Sequence, residues 1–438
     1  MKIFLILLTV KLFFAARLLF PAPLTAQSCP IADANGDCQV DGLDFNIWRN
    51  NYEQSTSQGK LKGDFNNDNM VNGLDYVLWL NDYGSSGNTN PPPTITSNIS
   101  PTGSPVPVTL FPSSDGMWLS SKEIASLPTS GTAWNAVLSA ANSSVSTPNL
   151  NQRDNDNTNT YAKALIYART GNTKYRDEVR QILSKVMGTE KSANDVLAVL
   201  RNTYAYVIAA DLINLKNFDP SFNSTFTGWL SKLRTNTSGG SCNHIIECHE
   251  KRPNNWGANA AASRIAIDLY INDKTDLTKA AAIHKGWMGD RSSYSSFTYG
   301  DLSWQCDPGK PVGINPKGCT KSGFTIDGVL PDDQRRAGGF TNNPPCENYV
   351  WGALQGATVA TQLLQRAGYP AWDWQDKAIL RAAQWLHSSQ VKGTNWCAAS
   401  GDDAWVPFLI NKVYGTSFPG DPASVGKGLG FTGWTHAK

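Results

Sequence analysis

Two patterns of apolar and polar positions divide the chain. From about residue 113 onward, apolar residues recur at three- and four-residue spacing over 159–170, 175–187, 193–215, 224–233, 258–271, 277–288, 349–367, 375–387 and 403–414. That period turns one face of an α-helix toward a core. Several of these segments stop at glycine, as Ala168-Arg-Thr-Gly171 and Arg366-Ala-Gly368 do, because glycine ends a helix in left-handed backbone at little cost. Runs with the alternation of a strand are scarce. The expectation is an all-α domain over 113–438, built of stacked helix hairpins that form a toroid or incomplete α/α barrel, with its loops gathered at one end.

Upstream the pattern changes. Residues 1–26 carry Lys2, a run rich in Leu, Ile and Phe, and Leu24-Thr25-Ala26 ahead of Gln27, the layout of a secretory signal peptide. Lys11 and Arg17 interrupt the run and argue against a spanning helix. No later apolar stretch is long enough to span a bilayer. The mature protein is therefore expected to be secreted and extracellular, with neither membrane nor nucleic acid as a partner. Residues 85–112 are rich in Pro, Ser, Thr, Gly and Asn, with Pro91-Pro92-Pro93 at the centre, which predicts an extended linker and a domain boundary.

Between these lie two segments that repeat at an offset of thirty-one: Asp33-Ala-Asn35-Gly-Asp37-Cys-Gln-Val-Asp41-Gly-Leu-Asp44, then Asp64-Phe-Asn66-Asn-Asp68-Asn-Met-Val-Asn72-Gly-Leu-Asp75. Each sets oxygen-bearing side chains at loop positions 1, 3, 5, 9 and 12, the pattern that a hard cation with many oxygen ligands requires. Short apolar stretches, 45–48 and 76–80, follow as exiting helices. Residues 28–84 thus resemble a dockerin, a paired calcium-loop module. The last loop position is Asp rather than Glu, as in dockerins, and position 6 holds Cys38 and Asn69 instead of glycine. The resemblance implies calcium as cofactor and a cohesin-bearing scaffold as partner; a calcium-stapled spacer without a partner is the plainer alternative.

Charge sharpens this division. Residues 28–84 hold nine acids against three bases, a net −6; with a chain total of +2 and three bases in 1–26, residues 85–438 come to +5. A mildly basic helical half favours an acidic polymer. Fifteen tryptophans suit stacking on sugar rings, although most tryptophan is core packing. The eight cysteines fit an oxidising compartment. Cys29 and Cys38, Cys242 and Cys248, and Cys306 and Cys319 are near in sequence, leaving Cys346 and Cys397.

Three constellations in the helical half carry candidate chemistry. His249-Glu-Lys-Arg-Pro-Asn254-Asn255-Trp256 precedes the helix expected near Ala258, whose positive end would help the Asn254 and Asn255 amides bind a carboxylate; Asn255 as a plain helix cap is the alternative. Arg335 and Arg336 lie a short loop upstream of Tyr349, and their alternative is a salt bridge to Asp332 and Asp333. Tyr299-Gly-Asp-Leu-Ser-Trp304 sits in a long loop of the kind that lines a binding face, or in a disulfide-held surface loop.

Asn254-Asn255 before a small-residue helix, and Asp327-Gly-Val-Leu-Pro331 leading into the arginines and Asn348-Tyr349, are similar to the alginate lyase superfamily of polysaccharide lyases over most of 113–438. That resemblance implies an α/α barrel, a uronate polymer such as alginate, polymannuronate or glucuronan as substrate, and cleavage by β-elimination. It places carboxylate neutralisation on Asn255 and on Arg336 or its neighbour Arg335, and acid–base work on Tyr349. The chain departs from it in two places. Trp256 stands where those lyases have His, and 341–346 lengthens the gap from arginines to tyrosine. Lyases of broader uronate specificity, glucuronan included, look like nearer relatives, and His249 becomes the substitute candidate for a base.

In such a reaction, the C5 proton of a uronate is acidified by neutralising the carboxylate and is then removed. A free phenol titrates near pH ~10, so cations beside Tyr349 would favour its service as base. Asn254, Trp256, Arg335, Tyr299, Trp304 and Arg201, in a predicted helix, are the candidate substrate contacts. A glycoside hydrolase using two of Asp332, Asp333 and Glu347, or a non-catalytic sugar-binding scaffold protein, are the rival readings.

Overall fold

The computed structural model describes residues 29–52, 54–83, 85, 116–150, 154–192, 196–235 and 242–437. The expected signal segment 1–26 and nearly all of the linker 85–112 lie outside them. The chain divides into two compact units, Met1–Ser104 and Pro105–Lys438. Among the described residues no helix is long and apolar enough to cross a membrane.

In the first unit, helices α1 (Gly42–Asn50) and α2 (Gly73–Asp82) each leave one of the repeated acidic loops. The internal repeat is visible at atomic detail. Trp48 Nε1 donates to the carbonyl of Asn72, and Trp79 Nε1, thirty-one residues on, donates to the carbonyl of Asp41. Loop positions 4 and 6 are left-handed in both copies, at Gly36 and Cys38 and at Asn67 and Asn69. Asn tolerates that backbone well; Cys38 is held there by its disulfide to Cys29. Ala32, Ala34, Val40, Phe65 and Trp79 form a small core.

The second unit is helical: α3 (Ser121–Ser126), α4 (Thr132–Asn142), α5 (Asp156–Thr170), α6 (Thr173–Val186), α7 (Val196–Leu212), α8 (Leu215–Phe218), α9 (Pro220–Leu233), α10 (Ile245–Lys251), α11 (Asn255–Ile271) and α12 (Lys274–Trp287) come first. A long loop then carries one antiparallel hairpin, β1 (Thr320–Lys321) with β2 (Phe324–Thr325), pairing Thr320 with Thr325. It leads to α13 (Pro331–Gln334), α14 (Asn348–Arg366), α15 (Trp374–His387), α16 (Val406–Tyr414) and α17 (Thr432–Thr435).

Burial separates the helices into two kinds. α7 and α11 each bury fifteen of seventeen residues, as helices apolar on all sides must. α6 instead buries one stripe, Tyr175, Val179, Ile182, Leu183 and Val186. α5 packs on α4 and α7, α7 on α11, and α11 on α14; α14 touches α16, and α17 touches both α16 and α4. The last turns of this unit thus return to its first helices: Trp434 Nε1 donates to the carbonyl of Pro128, and Asn157 Nδ2 donates to the carbonyl of Gly428. The cysteines pair as their proximity suggested, with Cys346 joined to Cys397.

Candidate functional site

The first turns of α11 and α14 meet at one end of the unit. Asn254 caps α11: its Oδ1 accepts from the Trp256 amide at 3.2 Å, and its Nδ2 donates to Asp332 Oδ2 at 2.9 Å. The capping role therefore falls on Asn254 and leaves Asn255 as the first helical residue. The Asn255 amide donates to Asp333 Oδ1 at 3.0 Å. Its carbonyl accepts from Asn259 Nδ2, which also reaches the carbonyl of Gly352 in α14. A side chain at Gly352 would begin 3.8 Å from Asn255 Cβ, and one at Gly356 would strike Ala258 at 2.5 Å. The first distance is an ordinary contact, whereas the second requires glycine: the two backbones approach closely at Gly356.

Tyr349 lies three residues before Gly352, on the same face of α14. It is 40% exposed, and its amide is capped by Glu347 Oε1. The Arg336 guanidinium stands 4.2 Å from the centre of its ring, a cation–π contact. The fold thus gathers Asn255, Tyr349 and Arg336 at one end of the α11–α14 pair.

The two arginines behave differently. Arg335 Nε donates to Asp332 Oδ1 at 2.7 Å, and Asp332 also accepts from the Gly300 amide at 2.9 Å. A Cβ at Gly300 would fall 2.2 Å from Arg335 Cζ, so glycine is needed for the guanidinium to pass. The salt-bridge alternative holds for Arg335, and its expected place as a substrate contact gives way to fixing Asp332. Asp333 is wholly buried. Burial first, and then the Asp332 charge, hold its carboxyl well above the ordinary range, against the Asn255 amide and the pull of Arg336 and Arg335.

The remaining candidates spread out from this centre. Tyr299, half-buried, adjoins the Gly300 that Asp332 anchors, and burial raises its hydroxyl. Trp256, half-buried in the first turn of α11, has the Arg252 guanidinium 5.7 Å from its ring. Arg201 is buried on α7, one turn before Tyr204, whose hydroxyl donates to Asn259 Oδ1 at 3.4 Å.

Two further expectations are overturned. Trp304 has no exposed face: it donates to the carbonyl of Gly338 and packs edge-on against Phe340 and Trp385, a core residue rather than a sugar platform. His249 shares a closed pocket with Arg252, Ala258, His284, Trp287 and Phe297. Burial first, then the charges of Arg264 and His284, lower its pKa well below the ordinary imidazole range. A ring only 2% exposed cannot reach the proton of a bound polymer.

Gly356, Asn259 and the hold of Asp332 and Asp333 on the start of α11 are further parts of the site that residue types alone do not announce. A glycine inside a strong helical pattern marks a close backbone approach, and Asn259 stands four residues after Asn255 on the same face; both signals lie in position along the helix.

The acidic loops gather oxygen donors of the kind a hard cation takes. In the second, Asp64, Asp68 and Asp75 bring carboxylate oxygens within 4.8 Å of one another. Hydrogen bonds from Asn66, the Met70 amide and Asn72 hold the Asp68 carboxyl below its ordinary range. In the first, Asp33 and Asp44 are wholly buried, Asp44 accepts from the Ala34 and Asn35 amides, and Asp33 Oδ2 has no hydrogen-bond partner. Asn35 and Asp37 follow the same turn, and Asp41 caps α1 through the Leu43 amide. Asp33 Oδ2 faces the Lys60 ammonium at 3.9 Å without a hydrogen bond, and a set of hard oxygen donors of this kind fits calcium. Cys29 and Cys38, beside Asp33, are bonded to each other and offer no thiolate.

Residues 31–83 match the dockerin type I domain family, which assigns the paired loops to a dockerin module. No curated protein matches the chain.

Proposed function

We propose that the protein is a secreted polysaccharide lyase that a dockerin module attaches to a cohesin-bearing scaffold. On this reading the second unit is an incomplete α/α barrel, and calcium fills both acidic loops, held by Asp33, Asn35, Asp37, Asp41 and Asp44 and by Asp64, Asn66, Asp68, Asn72 and Asp75. The bound ions would hold the loops in the shape that presents α1 and α2. Ile31, Leu43, Tyr52, Leu61, Met70 and Tyr83 are exposed on this small module, a supply of apolar contacts that suits docking.

The observation that carries the lyase reading is the Arg336 guanidinium over the ring of an exposed Tyr349, with Asn255 one helical turn away against Gly352. Arg336 and the Asn255 amide would neutralise the carboxylate of a uronate, assisted by the positive end of α11. Tyr349 would take the C5 proton; the C4–O bond breaks as the C4–C5 double bond forms, and the departing oxygen gains a proton from the same hydroxyl. Trp256 and Tyr299 would flank the sugar. The carboxylates that a glycosidase would need are otherwise engaged: Asp332 by Arg335, Asp333 by burial, and Glu347 by capping α14.

Ultraviolet absorbance during incubation with alginate, polymannuronate, glucuronan and neutral glucans tests this. An absorbance rise with a uronate polymer, lost in Tyr349→Phe, is expected. New reducing ends without unsaturation would overturn the reading in favour of hydrolysis.

A further inference from the structure

Two buried oxygens in the candidate site lack a hydrogen-bond partner among the described residues, and they sit on residues already joined to each other. Asn255 and Asp333 are linked by the Asn255 amide donating to Asp333 Oδ1 at 3.0 Å. Asp333 Oδ2 and Asn255 Oδ1 are the unmatched atoms, on side chains 0% and 1% exposed. Two acceptors cannot satisfy each other, and leaving a buried polar atom unmatched is unfavourable. A proton on Asp333 would give Oδ2 a donor to offer the Asn255 side-chain oxygen, because a protonated carboxyl gains an O–H.

We propose that Asp333 is kept as a neutral carboxylic acid whose Oδ2–H donates to the side-chain oxygen of Asn255, fixing that amide with its NH2 end toward the cleft. The inference rests on the lyase reading for its consequence, and on geometry alone for the protonation itself. An Asn has two faces, one donating and one accepting, and only the NH2 face can neutralise a carboxylate. Turned over, Asn255 would present an oxygen to an anion. Asp333 is therefore a positioning residue, acting on substrate through Asn255.

The surroundings favour the neutral form. Asp333 has no solvent exposure. The charged groups facing it are Asp332 from its own short helix and Arg335 and Arg336 from the turn that follows, while α11 contributes the uncharged Asn255 amide. Arg335 is already engaged by Asp332 at 2.7 Å, and Arg336 lies over Tyr349, so neither cation is dedicated to Asp333. An ionised carboxylate buried without its own counter-ion is costly.

The test compares wild type, Asp333→Asn and Asp333→Ala. Asn is the neutral isostere: its amide can donate to Asn255 Oδ1 while its oxygen accepts the Asn255 amide. Infrared difference spectra should show a protonated-carboxyl C=O band in wild type at neutral pH that is missing in Asp333→Asn. A carboxyl raised in the folded state loses its stabilising effect as pH rises toward its folded value. The wild-type Tm should thus fall relative to that of Asp333→Asn as pH rises above the ordinary carboxylate range. In turnover, Asp333→Asn should keep kcat within about threefold, whereas Asp333→Ala should lose about 10²-fold in kcat with a smaller change in KM. Absence of the band, with parallel Tm–pH curves, would overturn the proposal. Neither readout needs substrate, so a wild-type protein that yields no unsaturated product from any uronate polymer would refute the lyase reading and leave this protonation test standing.

Discussion

Tyr349 and Arg336 stand or fall as a pair, and single substitutions separate chemistry from packing. Tyr349 is exposed, so removing its hydroxyl in Tyr349→Phe leaves the fold intact; stability should change by no more than about 0.5 kcal/mol, while the rate of unsaturated product formation drops at least about 10²-fold. Arg336→Ala should lose about 10²–10³-fold in kcat with its melting temperature nearly unchanged, because its guanidinium touches an exposed ring. Arg335→Ala should do the reverse. It strips Asp332 of its 2.7 Å ion pair beside a second buried carboxyl, and should lower stability by about 1–3 kcal/mol, read by denaturant unfolding. Equal kinetic losses in the two arginine variants would show that they share one role.

At the scale of elements, the helical period of the sequence carries most of the second unit: each of the nine segments read from it corresponds to a helix, α5, α6, α7, α9, α11, α12, α14, α15 and α16, with ends shifted by a few residues. The apolar period is weak over α4 although Trp134, Val137, Ala140 and Ala141 line its buried face; its several alanines dilute the contrast on which periodicity depends. The site was legible as residue types, Asn before a helix, paired arginines, a tyrosine opening another helix. Burial was not, which is why Trp304 and His249 were misplaced: an aromatic or an imidazole reads the same in a cleft and in a core. The junction of α11 with α13 offers a direct check. Asn254→Ala removes both the cap and the buried bond to Asp332, and should cost about 2–4 kcal/mol by denaturant unfolding. A second check lies beyond α14, where Gln355 Nε2 donates to Asp403 and burial, then Asp402, raise that carboxyl to about 6. Raised above the unfolded value, it contributes stability that fades as pH climbs from about 4 through 6. Asp403→Asn should flatten that part of the stability–pH curve, and an unchanged slope would show that the carboxyl titrates normally.

Across the whole molecule, the two units owe their stability to different sources, and that difference can be measured. The second unit has a large continuous core running from Met117 to Trp434, with three disulfides inside it. Among its described residues the dockerin unit has a far smaller core, one disulfide and two loops that each bury carboxylates, Asp33 and Asp44 in one and Asp64 and Asp75 in the other. Without a cation, those like charges repel at short range, and so small a core cannot offset them; with one, the binding free energy adds directly to folding. Chelation of calcium should therefore melt the small unit alone. Far-ultraviolet circular dichroism should lose only the signal of α1 and α2, calorimetry should lose or lower one transition, and both should return on adding calcium. Uronate cleavage in solution should continue at its former rate, because no residue proposed for the reaction lies in 28–84, while capture on an immobilised cohesin should disappear. Loss of cleavage on chelation would place a cation in the large unit, and an unmoved melting profile would mean that the acidic loops fold without one.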